Sequence, residues 1–269
     1  MRLSSSSLLA FVAVLLAVAS CKSQYDAVLE GNDVDAKYNM AFDYFNRHKY
    51  TRAATLFESL TLQTNGTERE DTVRYYWGLS NYLNKDYYTA ETNFKQFLDV
   101  FPRSPFSEKA EFYHVDCLYK ATLRYELDQT PTYTAMNAIS EYLLEHPDGE
   151  NSDLCRMMLT ELGERLDRKA FENARLYYKM EDYKASRVAF KNILKEDSEN
   201  VYREDILYYA AMSSYKYADL SVKSKQKERF LVFIDDYLNF IGEYPESHYR
   251  KELDSLYAKV REKNETLRS

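Results

Sequence analysis

The sequence predicts an all-α fold, an α-solenoid of about five helix-turn-helix units with a C-terminal capping helix. Residues that break helices are rare, with six glycines and five prolines among 269 residues. Apolar side chains recur at the i, i+4 and i+7 spacing of a single helix face. The pattern also repeats along the chain at a constant offset of 37 residues. The residue pairs related by this offset are Tyr50 and Tyr87, Ala53 and Ala90, and Phe57 and Phe94.

The clearest unit runs from Arg74 to Pro102. Its first helix places Tyr75, Leu79 and Tyr82 on one stripe, and its turn falls at residues 84–86. The second helix ends before the proline. We expect the small residues Gly78 and Ala90 to let the two helices approach closely, with the Phe94 ring filling the space beside them. This arrangement resembles the tetratricopeptide (TPR) repeat, whose glycine, alanine, phenylalanine and proline positions are matched by Gly78, Ala90, Phe94 and Pro102.

The remaining units follow the same template with irregular lengths. The first unit spans Asp35–Leu60, and the third opens at Ser107 and contains an insertion at Thr122–Thr132. The later predicted helices, in chain order, are Tyr133–Glu145, Leu154–Met180, a helix opening at Tyr183, Ile206–Tyr217, Phe230–Gly242 and the capping helix Ser247–Arg261. A basic insertion, Lys223–Arg229, separates the two helices of the fifth unit.

The strongest break in the chain is Pro147-Asp148-Gly149. It predicts a boundary between an N-terminal part, residues 35–147 with units 1 to 3, and a C-terminal part, residues 148–269 with units 4 and 5 and the capping helix.

The N-terminus predicts a lipoprotein signal peptide over residues 1–20. Its apolar run, Leu8–Val18, is too short to span a bilayer. The sequence before Cys21 resembles a bacterial lipobox, which implies that this cysteine carries three acyl chains; cleavage before an ordinary residue would instead give a soluble periplasmic protein. Residues 21–34 lack helical periodicity and are predicted to form a tether. Lys22 differs from the aspartate that retains lipoproteins at the inner membrane, which favours the periplasmic face of the outer membrane and leaves surface exposure open.

Composition and motifs argue against several classes of function. The chain is acidic, with 36 basic and 43 acidic residues, and it has no basic stripe of the kind that binds nucleic acid. No catalytic or phosphate-binding motif occurs, and the four histidines are scattered. The sequence therefore predicts no enzyme activity, no cofactor and no metal. Asp235-Asp236 is interpreted as part of a solvated face.

Two further cysteines, Cys117 and Cys155, have no metal-binding spacing. They are interpreted as small core residues, and a disulfide in an oxidising compartment remains open.

The first helices of TPR units line a concave face, which leads us to expect an aromatic furrow across units 1 to 3. Such a furrow suits an extended or helical peptide with aromatic side chains, because rigid aromatic rings offer contact area at low entropic cost. The alternative is that the same stripe packs between neighbouring helices. The candidate furrow residues are Tyr38, Phe42, Phe45, Tyr75, Leu79, Tyr82, Phe112, Asp116 and Tyr119.

Over nearly all of the mature chain, these features together resemble the BamD (YfiO) family of lipoproteins of the outer-membrane β-barrel assembly machinery. Besides the lipobox and the TPR-like units, the matching segments are Leu127–Thr132 (LDQTPT), Lys169–Ala174 with Tyr177-Tyr178, and the aromatic-proline ends Phe101-Pro102 and Tyr244-Pro245. The sequence departs from the family in having His146 before Pro147 and Glu196-Asp197 at the end of the fourth unit. The tether is most similar to Bacteroidetes members.

The resemblance implies a non-enzymatic scaffold. Its N-terminal units would receive unfolded outer-membrane proteins, and its C-terminal units would dock on the periplasmic domains of the barrel-forming subunit. Lys184, Arg187 and Lys191 are candidate docking residues, with a solvated face as the alternative. Other classes stay open: a generic periplasmic TPR adaptor for proteases or cell-wall enzymes, and a glycan-binding lipoprotein, which would need a longer chain.

Overall fold

The computed structural model describes residues 24–266, in which it has twelve helices and no strand. In chain order these are α1 Gln24–Glu30, α2 Val34–Asn46, α3 Tyr50–Thr61, α4 Glu70–Leu83, α5 Tyr87–Val100, α6 Ser107–Lys120, α7 Thr130–Glu145, α8 Ser152–Lys179, α9 Tyr183–Glu196, α10 Arg203–Asp219, α11 Lys223–Glu243 and α12 Arg250–Thr266. The prediction of an all-α, TPR-like fold is confirmed.

The helices divide into five consecutive pairs, from α2–α3 to α10–α11, with α12 after the last pair. The described residues form two compact units: unit 1 comprises residues 24–122 with Tyr133–Ser152, and unit 2 comprises Leu123–Thr132 with residues 153–266. In unit 1, each helix from α2 to α5 packs against the next one, and α4 and α6, the first helices of their pairs, also touch. In unit 2, α10 lies between α9 and α11 and also contacts α12.

Three of the turns within pairs share one local structure. His48, Lys85 and Glu181 each adopt positive φ, between 57° and 64°, two positions after the last residue of a helix. This left-handed residue reverses the chain within a few residues, although it costs free energy in a residue other than glycine. Aspartates then begin two of the following helices, since Asp86 accepts from the Thr89 amide and Asp182 from the Ala185 amide.

The core of the second pair depends on a close approach of α4 and α5, as the sequence predicts. Phe94 of α5 is fully buried and lies against Gly78 of α4. A Cβ atom at this glycine would stand 3.0 Å from Cε1 of the Phe94 ring. The absence of a side chain at position 78 is therefore what admits the ring.

The predicted tether differs from the structure at residues 24–30, which form helix α1. The Tyr25 ring packs edge-on against Tyr44 with centroids 5.2 Å apart, and its hydroxyl donates to the Arg52 carbonyl. These contacts with the first helix pair stabilise a segment that has too few residues to show a helical period of its own.

The basic insertion is also helical, because Lys223–Arg229 forms the first two turns of α11. Its side chains satisfy the C-terminal end of α10: Gln226 donates to the carbonyls of Asp219 and Ser221. Arg229 lies over the Tyr217 ring, with its guanidinium carbon 4.1 Å from the centroid. The segment therefore continues the helix rather than interrupting the fifth unit.

The insertion between α6 and α7 packs as part of unit 2. Lys169 of α8 donates to the carbonyls of Tyr125 and Leu127, at 3.0 and 2.7 Å, and Arg165 donates to that of Leu123. The LDQTPT segment is thus held by hydrogen bonds from α8 to its backbone. Helix α7 starts at Thr130, three residues before the predicted Tyr133, because Asp128 caps its first turn.

Candidate functional site

The predicted furrow residues of the first pair lie between helices. Tyr38, Phe42 and Phe45 of α2 are half-buried. The Phe42 ring contacts Phe57 of α3 and Tyr76 of α4 at centroid distances of 5.1 and 4.7 Å, and Phe45 contacts Tyr76 at 5.1 Å. Phe42 and Phe45 therefore pack between neighbouring helices, which was the alternative to a furrow-lining role.

A depression of about 360 Å³ lies between α4, α6 and the segment after α7, all within unit 1. We call it the α4–α6 groove. It includes three of the predicted furrow residues, Tyr75, Leu79 and Phe112. The remaining lining residues are Tyr76, Phe106, Lys109, Tyr113, Glu150 and Asn151. Its volume is near the lower end of small-ligand pockets, about 300–1,000 Å³, which is enough for one or two side chains of an extended chain.

The floor of the groove is aromatic and closely packed. Tyr75 is only 4% exposed and stacks on Phe106 with centroids 4.5 Å apart and planes inclined by 13°. Burial raises the pKa of Tyr75, and also that of Tyr113. Leu79 and Phe112 are half-buried and form the accessible apolar surface. Lys109 and Glu150 are exposed and place charges of opposite sign at the rim.

Tyr82 and Asp116, two other predicted furrow residues, are joined in a polar contact between α4 and α6. The Tyr82 hydroxyl donates to Oδ2 of Asp116 at 2.5 Å, and Lys120 pairs with the same oxygen at 2.8 Å. Asp116 is 2% exposed. Burial, together with the hydrogen bond to the Asp116 carboxylate, raises the pKa of Tyr82. Tyr82 and Asp116 therefore connect α4 to α6. Tyr119, one turn after Asp116 on α6, is half-buried.

Sequence reasoning missed Tyr76, which lines the groove and also contacts Phe42 and Phe45. It assigned a single stripe to α4, whereas neighbouring residues on a helix point about 100° apart, so Tyr75 and Tyr76 face different neighbours. The two adjacent tyrosines could have indicated this, because the first helix of a pair contacts both the preceding and the following pair and so needs an aromatic side chain on each side.

The three candidate docking residues on α9 differ in their surroundings. Lys184 is exposed. Arg187 donates through Nε and Nη2 to Asp236 of α11 at 2.6 and 3.1 Å, and Lys191 Nζ lies 2.8 Å from the same carboxylate. Two of the three cations are therefore paired within the chain, to an acid 49 positions from Arg187, and all three stay candidate docking residues.

Asp236 is not solvated, contrary to the sequence interpretation. It is 1% exposed, whereas its neighbour Asp235 is exposed. Burial by itself raises the pKa of a carboxyl, but hydrogen bonds from Arg187, Lys191 and Ser214 outweigh burial and hold the pKa of Asp236 below its usual value.

The cysteines Cys117 and Cys155 are buried. Burial raises the pKa of the Cys117 thiol to about 12, which keeps it protonated and unreactive at neutral pH. The predicted lipidation site, Cys21, lies outside the described residues.

No helix of the described residues combines the length and apolar character needed to cross a membrane.

Comparison with known proteins gave a match to the family model YfiO, described as "Outer membrane lipoprotein", over residues 31–231. The chain is also similar to the outer membrane protein assembly factor BamD of Caulobacter vibrioides, with 21% identity over 203 residues that make up 74% of this chain and 67% of the relative. A solved structure of the TPR2AB domain of yeast Sti1, in its pHSP90 complex, aligns with a TM-score of 0.40 and 14% identity, over 85% of this chain and 98% of that one.

Proposed function

Because the chain belongs to the YfiO family of outer membrane lipoproteins, we propose that it is a lipid-anchored, non-enzymatic scaffold of the outer-membrane β-barrel assembly machinery. The family match over residues 31–231 carries this proposal, and the similarity to an outer membrane protein assembly factor supports it. In this scheme Cys21 holds the protein at the periplasmic face of the outer membrane. Residues 35–147 receive unfolded outer-membrane proteins, and residues 148–269 dock on the barrel-forming subunit.

The α4–α6 groove supports the client-receiving role. It offers half-buried Leu79 and Phe112 over an aromatic floor, so an aromatic or branched client side chain gains apolar contact there without ordering the site first. Lys109 and Glu150 at the rim suit the polar backbone and mixed charges of an unfolded chain. This narrows the candidate client site to the α4–α6 groove.

The exposed face of α9 supports the docking role. Arg187 and Lys191 are each about a third exposed and share one carboxylate, so the three side chains together keep one positive charge at the surface. Lys184 lies one turn before Arg187 and adds a second. Docking on an acidic surface would thus depend first on Lys184.

Affinity purification from gently solubilised outer membranes tests the assembly role. We expect a stoichiometric large barrel protein with repeated periplasmic domains to copurify with the lipidated chain. Lys184→Glu should reduce its recovery, while Lys95→Glu, an exposed lysine of unit 1, should not. Recovery of a protease or a cell-wall enzyme in place of the barrel protein would contradict the proposal and favour a generic TPR adaptor.

Client binding is tested separately with the purified chain and a fluorescent, unfolded outer-membrane-protein segment. Phe112→Ala should weaken binding by about tenfold or more, the size of effect found for buried aromatic anchors. Tyr88→Ala removes a highly exposed aromatic outside the groove and should leave the affinity unchanged. Equal affinities for the two variants would exclude the groove as the client site.

A further inference from the structure

We propose that the third helix pair carries a divalent-cation site formed by Glu111 of α6 with Glu145 and His146 at the end of α7. One candidate ligand atom from each residue lies within 4.8 Å of the other two. All three residues belong to unit 1. The set of one imidazole nitrogen and carboxylate oxygens is suited to Zn²⁺, which binds such atoms at about 2.0–2.2 Å and leaves a fourth position for water.

Two of the three ligands already lie side by side, and their ligand atoms need to move apart by about 1 Å to share a tetrahedral Zn²⁺. His146 Nε2 and Glu111 Oε2 are 2.5 Å apart. The His146 ring packs against Tyr142, with centroids 4.9 Å apart, and the His146 carbonyl accepts from the Ser152 hydroxyl, also at 2.5 Å. The ring contact with Tyr142 restricts the rotation of the imidazole, and the hydrogen bond from Ser152 holds the His146 backbone.

The third ligand can complete the site with a side-chain rotation. Glu145 is exposed, so its carboxylate can turn toward the other two without disturbing packing. On binding, the cation takes the place of the hydrogen between His146 Nε2 and Glu111 Oε2, and a neutral imidazole then carries its hydrogen on Nδ1.

The electrostatic surroundings favour a cation. Residues 133–152 contain four acidic side chains and neither lysine nor arginine. His146 follows the last residue of α7 and its amide donates to the Tyr142 carbonyl, so the site lies at the negative end of a helix dipole. An adjoining pocket of about 190 Å³ adds Glu141 and His114 to the wall beside Glu111 and Glu145. Burial is the main cause that lowers the pKa of His114, and the charge of Lys95 lowers it further.

The position of His146 gives the site a structural role. The other aromatic-proline ends of the units are Phe101-Pro102 and Tyr244-Pro245, and here a histidine takes the aromatic position. The helices α6 and α7 are separated by residues 121–129 rather than by a short turn. A cation shared by Glu111, Glu145 and His146 would clip the C-terminal end of α7 to α6 and stabilise this pair.

The site is tested by titrating the tag-free mature chain in detergent with Zn²⁺ and measuring the heat of binding. We expect one tight equivalent, which Glu145→Gln and Glu111→Gln weaken by about tenfold or more, the usual effect of losing a metal-binding partner. Glu145 is exposed, so its variant will fold even if a Glu111 variant does not. His248→Asn is the matched control, since His248 is exposed beside Glu204 at 4.0 Å.

Amide hydrogen exchange supplies the second readout. At a Zn²⁺ concentration near the wild-type Kd, the metal should slow exchange in α7 of the wild-type chain and of His248→Asn, and much less in Glu145→Gln. Saturable binding that survives both glutamate substitutions, or no saturable binding at all, would overturn the proposal. The result does not depend on the lipid anchor or on any assembly partner, so it stands or falls separately from the proposed function.

Discussion

At the scale of single residues, close helix packing is decided by the presence or absence of one carbon atom. Gly78 lies on α4 where the fully buried Phe94 ring of α5 comes nearest. The ring occupies the space that a side chain at position 78 would take. Ala53, Ala90 and Ala135 are likewise fully buried. Small residues therefore stand where TPR-like helices need them, and the large aromatic residues fill the space around them.

Replacing Gly78 with alanine should destabilise the protein even though alanine favours helix formation. The new Cβ would lie 3.0–3.2 Å from three atoms of the Phe94 ring, and such overpacking costs about 1–3 kcal/mol against a helix-propensity gain of up to about 1 kcal/mol. We expect a lower urea midpoint for Gly78→Ala. The control is Gly242→Ala in α11, which meets no atom within 4 Å and should raise the midpoint. A Gly78→Ala midpoint at or above wild type would contradict this account of the α4–α5 contact.

At the scale of elements, a buried carboxylate ties together three helices of unit 2. Asp236 of α11 receives charged hydrogen bonds from Arg187 and Lys191 of α9, and Ser214 of α10 donates to it as well. A buried charge is tolerated only with such partners, because an unpaired one carries its full desolvation cost. The pairing therefore fixes how α9 and α11 approach each other around α10.

Asp236→Asn should lower the free energy of unfolding by about 2 kcal/mol at pH 7, typical of lost hydrogen bonds to charged groups. The neighbouring Asp235→Asn changes an exposed carboxylate and should have an effect within about 0.5 kcal/mol. Urea denaturation of both variants measures the difference, and equal stabilities would exclude a structural role for the ion pair.

The effect of Asp236 should also depend on pH. Its folded-state pKa is lowered, so its stabilisation is complete above the unfolded-state pKa of about 3.9 and is lost as pH falls through the folded value. The stability difference between wild type and Asp236→Asn should therefore be constant from pH 7 to about 5 and shrink below pH 4. A difference that grows on acidification would contradict this sign.

At the scale of the whole molecule, attachment to the membrane is predicted to depend on the lipids at Cys21. One acyl chain binds membranes only marginally, and stable anchoring needs at least two signals. Three acyl groups would therefore hold the protein at the membrane, although it is acidic and has no polybasic patch of its own. The described part of the chain begins with helix α1, three positions after this cysteine.

Cys21→Ser should move the protein from the detergent phase to the aqueous phase when cells are extracted with a phase-separating detergent. This partition depends on attached lipid rather than on protein partners, because the acyl chains supply the apolar surface. Ser23→Ala, two residues away, should stay in the detergent phase. Detergent partitioning of Cys21→Ser would refute the predicted anchor.

The helical content, the five pairs and the close approach at Gly78 were predictable from sequence, because they depend on local periodicity and on residues within one unit. The helix α1 and the helical start of α11 were not. Their stability comes from contacts with Tyr44 and with the end of α10, and sequence periodicity does not report contacts between elements.

The sequence by itself determined the fold class, the family resemblance and the set of aromatic residues from which a groove is built. Only the tertiary structure decided that Leu79 and Phe112 line this groove while Asp116 is buried, and that Arg187 and Lys191 pair with Asp236. The tertiary structure also places Glu111 in contact with His146, which lies 35 positions later in the sequence. The physical reason is that helical periodicity assigns a residue to a face, whereas burial and pairing depend on which neighbouring helix covers that face.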